Sequence, residues 1–581
     1  VVLENNSQYF DITNPDTIPI EPNSILLQYS SAISQSEIDS IEVNNTMDLR
    51  KVFPTGWRSY NIPSSSTWIS YVQFLLTISD IQSIGFNYLL LYCIDPNDPF
   101  FVQGDQWYLP DIQLPDAWSI TTGNPDLIVA ILDNGTDWSN PDLGPDNGLG
   151  GASYPSGSQQ WHGTMVSSVI AARTNNNLYS SGIAGGWNSD PVKIASYKVG
   201  DFQPDIEAVC DALLSGAEQG ARLFNLSFGI PGVDCSGVSD PMLAMILYIK
   251  EEYDAILFCS SGNYGTTDVL WPACTDLVFG IGGTTHNGTK LNGPGYCNSN
   301  YGINLDISAP GEEILFPVPF TYHYSSTCGT SAATAVATGV GALLLSVNSC
   351  LSYDDMYTIL TLTADRTGGY DYYYDPERPG HSLELGYGKI NAYSALIMAS
   401  EQLTEITTNT TFDSPKWFTH DLIVRSGSIL TITSTVKFIE NKKIVVEPGA
   451  QLIIDGGILT STCPGFWGGI EVQGNRTLPQ IPISNQGYVR ISYPGMIENA
   501  NPGIYSYDGG IVIASDATFR NNKRSVNISN YPGTNQSYLR RCLFEWTDIP
   551  GYMYGNPLFT GNQFFIGAEM VSPIKVQGCV F

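Results

Sequence analysis

Leu-Ile-Val-Ala-Ile-Leu-Asp-Asn-Gly, residues 127–135, is the stretch that decides the fold. The apolar run Leu127–Leu132 leaves no polar face, so it suits a strand covered on both sides, as in a parallel sheet flanked by helices. It ends in Asp133, and Asn134-Gly135 marks a turn. Outward along the chain, similar runs recur at Ile194–Val199, Leu223–Leu226, Ala255–Ser260 and Val278–Ile281. Helical stretches lie among and after them, at His162–Ala172, Asp205–Gln219, Pro241–Tyr253 and Ser331–Ser346. Strand–helix alternation of this kind predicts an α/β, doubly wound, mostly parallel sheet spanning residues 98–400.

The flanks read differently. Residues 1–96 mix strand-like runs (Ser24–Tyr29, Phe86–Cys93) with helical ones (Gln35–Ile41, Trp68–Ile78), a small α+β pattern. Asp95–Pro99 breaks that pattern and reads as a linker. Thr/Asn-rich Thr404–Asp413 places a second linker at 401–425. Residues 426–581 show no convincing helix, only short β runs broken by Gly and Asn, such as LIIDGGILT (452–460), WGGIEVQGN (467–475) and GGIVIASDATFRNN (509–522). Their loose repetition predicts a parallel β-helix, with a β-sandwich as the competing architecture.

Composition narrows the function classes. A chain of 581 residues with 43% hydrophobic and 14% charged residues exceeds one ordinary core and is not disordered. The 56 acidic and 25 basic residues leave a net charge of −31, which repels phosphate backbones and argues against a nucleic-acid partner. Eleven cysteines, an odd number without zinc-site spacing, predict buried thiols plus one or two disulfides. No apolar run reaches membrane-spanning length. Val1 is not preceded by Met or a signal peptide and Phe581 falls inside the repeat pattern, which reads as a mature or partial form of a longer protein.

Three short motifs carry chemistry: ILDNG with Asp133, WHGTMV (161–166) with His162, and GTSAATAVATG (329–339) with Ser331. A serine hydroxyl is a poor nucleophile at neutral pH and needs an imidazole to accept its proton. A carboxylate on the far ring nitrogen fixes the tautomer and stabilises the imidazolium. Asp133 ends a strand, and His162 and Ser331 open helices, the positions that gather at the carboxyl edge of an open α/β sheet.

With SSGN (260–263), these motifs make residues 98–400 resemble the subtilisin-like serine proteases, in the family's Asp, His, Ser order. The resemblance implies Ser331 as nucleophile, His162 as general base then acid, Asp133 as orienting carboxylate and Asn263 as side-chain donor to the oxyanion. It also implies that Ser227, Phe228 and Gly229, with Gly262, bind substrate, by strand addition along Leu226–Gly229. The sequence departs from the family at Asn134 (usually Ser or Thr), Met165 (usually His) and Ala335 (usually Pro), and Cys328 close to the nucleophile has no explanation in the sequence.

The expected activity is therefore a secreted serine endopeptidase acting on proteins or peptides, with no cofactor in the chemistry. Alignment with the family puts Gln103 and Asp142 at calcium-ligand positions, for a structural calcium that needs six to eight oxygens. Residues 1–96 resemble the family's propeptide, which implies a folding-assisting inhibitory domain cleaved near Cys93–Asp98; the alternative is an accessory N-terminal domain that stays attached. Residues 426–581 are similar to β-helix regions of secreted Bacteroidota proteins. The alternative is an inactive subtilase-fold surface protein that touches glycans or cells through this region, and a further one is a polysaccharide enzyme acting there.

Overall fold

The protein, seen in a computed structural model, is described here except for residues 1, 6–7, 12–19, 31–32, 54–55, 64–67, 89–94, 145–147, 152–160, 188–189, 202, 234, 236–239, 319–322, 530, 548–565, 569–574 and 581. It divides into two compact units, Val1–Tyr92 and Cys93–Phe581. The first has an antiparallel four-stranded sheet of Ile20–Tyr29, Asp48–Val52, Trp57–Asn61 and Ile81–Tyr88, with helices Gln35–Asn44 and Trp68–Leu75. Ile25, Leu27, Tyr60 and Leu75 form its buried centre, giving the expected α+β unit.

In the second unit, seven strands form one sheet: β1 (Ile128–Asp133), β2 (Gly148–Gly151), β3 (Lys193–Lys198), β4 (Leu223–Leu226), β5 (Ile256–Ser260), β6 (Phe279–Thr284) and β7 (Ile307–Pro310). Their spatial order is β7-β6-β5-β4-β1-β3-β2, and every pairing is parallel. Helices α1 (His162–Ala171) and α4 (Thr330–Val347) pack one face, and α2 (Ile206–Glu218) and α3 (Pro241–Tyr253) the other. The sheet is thus doubly wound, as the continuous apolar strands require. β7 is missing from the sequence reading because Ile-Ser-Ala-Pro is short and ends in proline.

Among the described residues α4 alone is long and apolar enough to cross a membrane by length and composition. It is instead the central core helix, with nearly every residue buried. Its Ala and Gly residues let it lie close to its neighbours: a Cβ on Gly341 would sit 2.9 Å from the Phe258 ring.

Beyond residue 404 each coil of chain supplies one strand to each of three parallel sheets, of seven, seven and six strands. That is a parallel β-helix, and the sandwich alternative falls because every pairing in these three sheets is parallel, between successive coils. Alternate residues point inward, as in Lys443–Val446, and Phe418, Phe438 and Trp467 stack along the axis at 5.0 and 5.1 Å.

The expected linker at 401–425 is not one. Glu405–Ile406, Thr410–Phe412, Lys416–Phe418 and Leu422–Val424 are already β-helix strands. Strands of two or three residues are too short to show a period in the sequence. Trp417 is buried in the core of the sheet domain and donates from Nε1 to Asp355 Oδ1 at 3.0 Å, which also meets Lys437 Nζ at 2.6 Å. Cys350–Cys463 joins the same two regions covalently. The described residues hold three disulfides, with Cys235–Cys274 and Cys297–Cys328, rather than one or two. Cys210, Cys259, Cys542 and Cys579 are free thiols.

Candidate active site

Parallel register brings the chemistry to one edge. Leu226 of β4 pairs with both Leu132 of β1 and Cys259 of β5, so Asp133, Ser227 and the segment leading to Asn263 leave three adjacent strands at one level. β2 and β3 lie on one side of β1 and β4 to β7 on the other, so the winding reverses beside β1, the switch point at which open α/β sheets bind ligands.

Asp133 is nearly buried, and its two carboxylate oxygens lie 2.9 and 2.8 Å from His162 Nδ1. Asn134 N–H also donates to Asp133 Oδ1 at 2.7 Å, which fixes the carboxylate plane. His162 opens α1, and Gly163 allows that helix to press on the end of β1: a Cβ there would lie 2.3 Å from the Gly135 carbonyl. Asn134, a departure from the family, accepts from Gly163 N–H at 2.9 Å and so ties the first turn of α1 to the strand end. Met165 and Ala335, the other departures, are buried in the core.

Burial by itself pushes the His162 pKa down, but the Asp133 charge and hydrogen bond outweigh it and leave the pKa raised above the ordinary imidazole value. His162 Nε2 has no hydrogen-bond partner among the described residues.

Ser331 is the second residue of α4, and its backbone N–H lies in the first turn, where helix amides are unpaired and the dipole favours an anion. Its Oγ donates to the Ser227 carbonyl at 3.2 Å, and Ser227 Oγ donates to the Ser331 carbonyl at 3.3 Å. Among the described residues no hydrogen bond joins Ser331 Oγ to the His162 ring. The expected Ser331–His162 hydrogen bond is therefore not formed; catalytic hydrogen bonds tighten in the Michaelis or transition-state complex.

Asn263 is oriented by Thr330, which the sequence reading passed over. Thr330 N–H and Oγ1 donate to Asn263 Oδ1 at 2.8 and 3.0 Å. A backbone N–H only donates, so the atom facing it is the amide oxygen, and Nδ2 is left to donate elsewhere. Gly329 has φ 142°, and a Cβ on it would crowd that same amide at 3.2 Å. Thr330 Oγ1 also accepts from Gly262 N–H at 3.2 Å. A Cβ on Gly262 would stand 2.6 Å from Asn300 and Leu270 side-chain atoms, so a close approach explains this glycine.

The expected substrate strand divides. Leu226 is core, and Ser227 faces Ser331. Phe228 and Gly229 line a cavity of about 300 Å3 with Ile206, Met242 and Trp271. Asn225, buried behind Ser227, donates to Ser227 Oγ at 2.9 Å and accepts from Thr338 of α4 at 3.0 Å.

The expected calcium ligands do not assemble. Gln103 is exposed and makes no hydrogen bond with Asp142, which is buried. Asp142 Oδ1 accepts from Asn176 Nδ2 at 3.0 Å, and Oδ2 from Ser180 N–H at 3.0 Å and Ser180 Oγ at 2.9 Å. Burial pushes Asp142 up to about 7. Asp98, assigned to a linker by sequence, is fully buried and accepts from the N–H groups of Asn175, Asn176 and Asn177 and from Ser181 Oγ. Gln106 clasps Ser181 through two 2.8 Å bonds. A cation needs oxygens turned toward it, whereas these carboxylates face N–H and O–H donors, so this residue set does not fit calcium. No cluster of three or more metal-ligating side chains occurs among the described residues.

Known proteins are similar to part of this chain. Residues 124–388 match the profile of the subtilase family. Thermitase of Thermoactinomyces vulgaris is 30% identical over 318 residues, 52% of this chain and 99% of thermitase. The halolysin-like extracellular serine protease Nep of Natrialba magadii is 28% identical over 314 residues, 52% of this chain and 52% of its own. The crystal structure of fervidolysin from Fervidobacterium pennivorans, a keratinolytic enzyme related to subtilisin, aligns at TM-score 0.43 and 21% identity over 66% of this chain and 61% of its own.

Proposed function

This chain belongs to the subtilase family of serine endopeptidases, and from that premise we propose that it is a secreted protease working through Asp133, His162 and Ser331 with Asn263 as oxyanion donor. The observation that carries this reading is the Asp133–His162 contact of 2.8 Å, which leaves Nε2 as the acceptor. Ser331 Oγ turns from the Ser227 carbonyl to Nε2 and attacks the scissile carbonyl carbon as its proton passes to the ring. The oxyanion is met by Asn263 Nδ2 and Ser331 N–H. His162 then protonates the leaving amine, the peptide bond breaks, and water repeats the sequence on the acyl-enzyme. Protein or peptide chains are the substrates, bound along Ser227–Gly229 and Gly262. Secretion is supported by the extracellular designation of the Nep relative.

A serine-directed phosphonyl reagent tests this assignment. It is expected to modify Ser331 and no other serine, mapped by peptide mass spectrometry. The rate falls on acidification through the His162 pKa, with its midpoint above the ordinary imidazole value of about 6.5. The stabilisation from the Asp133–His162 pair runs the other way, being fully present below the unfolded-state pKa and lost as pH rises through the raised folded value. Modification of a different serine, or a rate indifferent to acid well below pH ~6, would rule the assignment out.

We further propose that residues 1–96 form a propeptide-like domain, followed by the peptidase domain at 98–400 and the β-helix. Asp98 is buried with its carboxylate hydrogen-bonded, so the cut falls before it. N-terminal sequencing of autoprocessed protein is expected to give a new terminus in 93–98. Full activity in a chain still uncut there would overturn removal as the activating step.

A further inference from the structure

Cys328 stands three residues before Ser331 and is bonded to Cys297, 31 positions earlier, with Cα atoms 5.2 Å apart. On the Cys297 side, the next residues run beside the segment that carries Asn263. Gly265 N–H donates to the Asn298 carbonyl at 2.9 Å, and Asn300 N–H donates to the Gly262 carbonyl at 2.8 Å. Tyr264 N–H donates to Asn300 Oδ1 at 2.8 Å, and Asn300 Nδ2 donates to the Asp268 carbonyl at 2.7 Å.

On the Cys328 side, Gly329 N–H donates to the Gly311 carbonyl at 2.8 Å, and Thr330 holds Asn263 Oδ1. The links close a ring: Asn263 to Thr330, back along the chain to Cys328, across to Cys297, on to Asn298 and Gly265, and back to Asn263. Besides the sulfur bridge, the Thr330 hydrogen bonds to Asn263 and Gly262 join the two walls of this ring.

We propose that Cys297–Cys328 positions the oxyanion hole, holding the Asn263 amide and the Ser331 N–H at a fixed separation. This inference rests on the roles proposed above for Asn263 and Ser331. The cysteines touch no reacting group and act through Asn263 and the first turn of α4, so they are positioning residues. Their value is preorganisation: donors held before the charge develops need no rearrangement in the transition state. A ground-state substrate makes little use of the hole, so the effect belongs in kcat and not in KM.

The test compares four enzymes on one peptide substrate: wild type, Cys297→Ala/Cys328→Ala, Asn263→Ala, and the combined triple variant. The disulfide variant is expected to lose about 10-fold in kcat, with KM within about twofold. In the Asn263→Ala background, removing the bridge is expected to change kcat by less than about twofold, because the donor it positions is gone. Equal losses in both backgrounds would mean that the bridge supports only the fold, and the inference fails.

If Asn263→Ala alone leaves kcat unchanged, the oxyanion assignment fails. If Asn263→Ala costs about 100-fold while the disulfide variant keeps full kcat, only the present inference fails. Should the cysteine variant not fold, partial reduction of the folded wild type, with alkylation mapping of the opened cysteines, gives the same reading. Loss of kcat in step with opening of Cys297–Cys328 supports it, and unchanged kcat with that bridge open overturns it.

Discussion

Ser331→Ala is expected to lower kcat on a peptide substrate by about 10^6-fold, the scale on which triad members fail as a unit. The hydroxyl is the atom that forms the acyl bond, and no neighbouring side chain replaces it. The fold should survive, because among the described residues Ser331 Oγ makes a single hydrogen bond, to the Ser227 carbonyl, and the reciprocal bond from Ser227 Oγ to the Ser331 carbonyl remains. Steady-state kinetics with active-site titration, alongside a melting curve, separates the two quantities. A variant with normal turnover would mean another nucleophile. Residual hydrolysis above the uncatalysed rate is expected, since Asn263 and the α4 amide still meet the oxyanion.

Asp133→Asn is expected to cost about 10^4-fold in kcat with the backbone unchanged. Both Asp133 oxygens face His162 Nδ1 at 2.8–2.9 Å, and Asn134 N–H already donates to Oδ1. An amide keeps Oδ1 on that N–H and turns its NH2 toward Nδ1, which then has to accept. The ring proton moves to Nε2, where it blocks uptake of the serine proton. The acid limb should shift in a defined direction as well. The Asp133 charge raises the His162 pKa against burial, so removing it lets burial dominate and the pKa falls. A variant within tenfold of wild type, or one whose acid limb moves upward, would contradict this role.

Sequence and structure agree where the apolar pattern of an element is continuous or helically periodic. β4 and α3 have the bounds read from sequence, and the ends of α1, α2 and α4 differ by a residue. The failures are short or irregular. Lys416–Phe418 and its neighbours are too brief to carry a period, so their Thr/Asn-rich composition reads as a linker. Asp98 looks like part of a Pro/Asn break, yet it is buried because the Asn175–Ser181 loop, far along the chain, wraps its N–H groups around it. Asparagine and proline near a domain edge signal a turn equally well whether the side chain meets water or a distant loop.

Residue order alone carried the strand–helix alternation, the short motifs around Asp133, His162 and Ser331, and the loosely repeated β runs of the C-terminal part, since each depends on neighbours a few positions apart. Tertiary structure decided what depends on distant partners. Thr330 orients Asn263, the Ser331 hydroxyl rests on Ser227, Asn134 anchors the helix of His162, and Gln103 stays clear of Asp142. Hydrogen bonds act over about 3 Å, a distance the register of a sheet and the packing of a helix set across 29 to 104 positions of chain here.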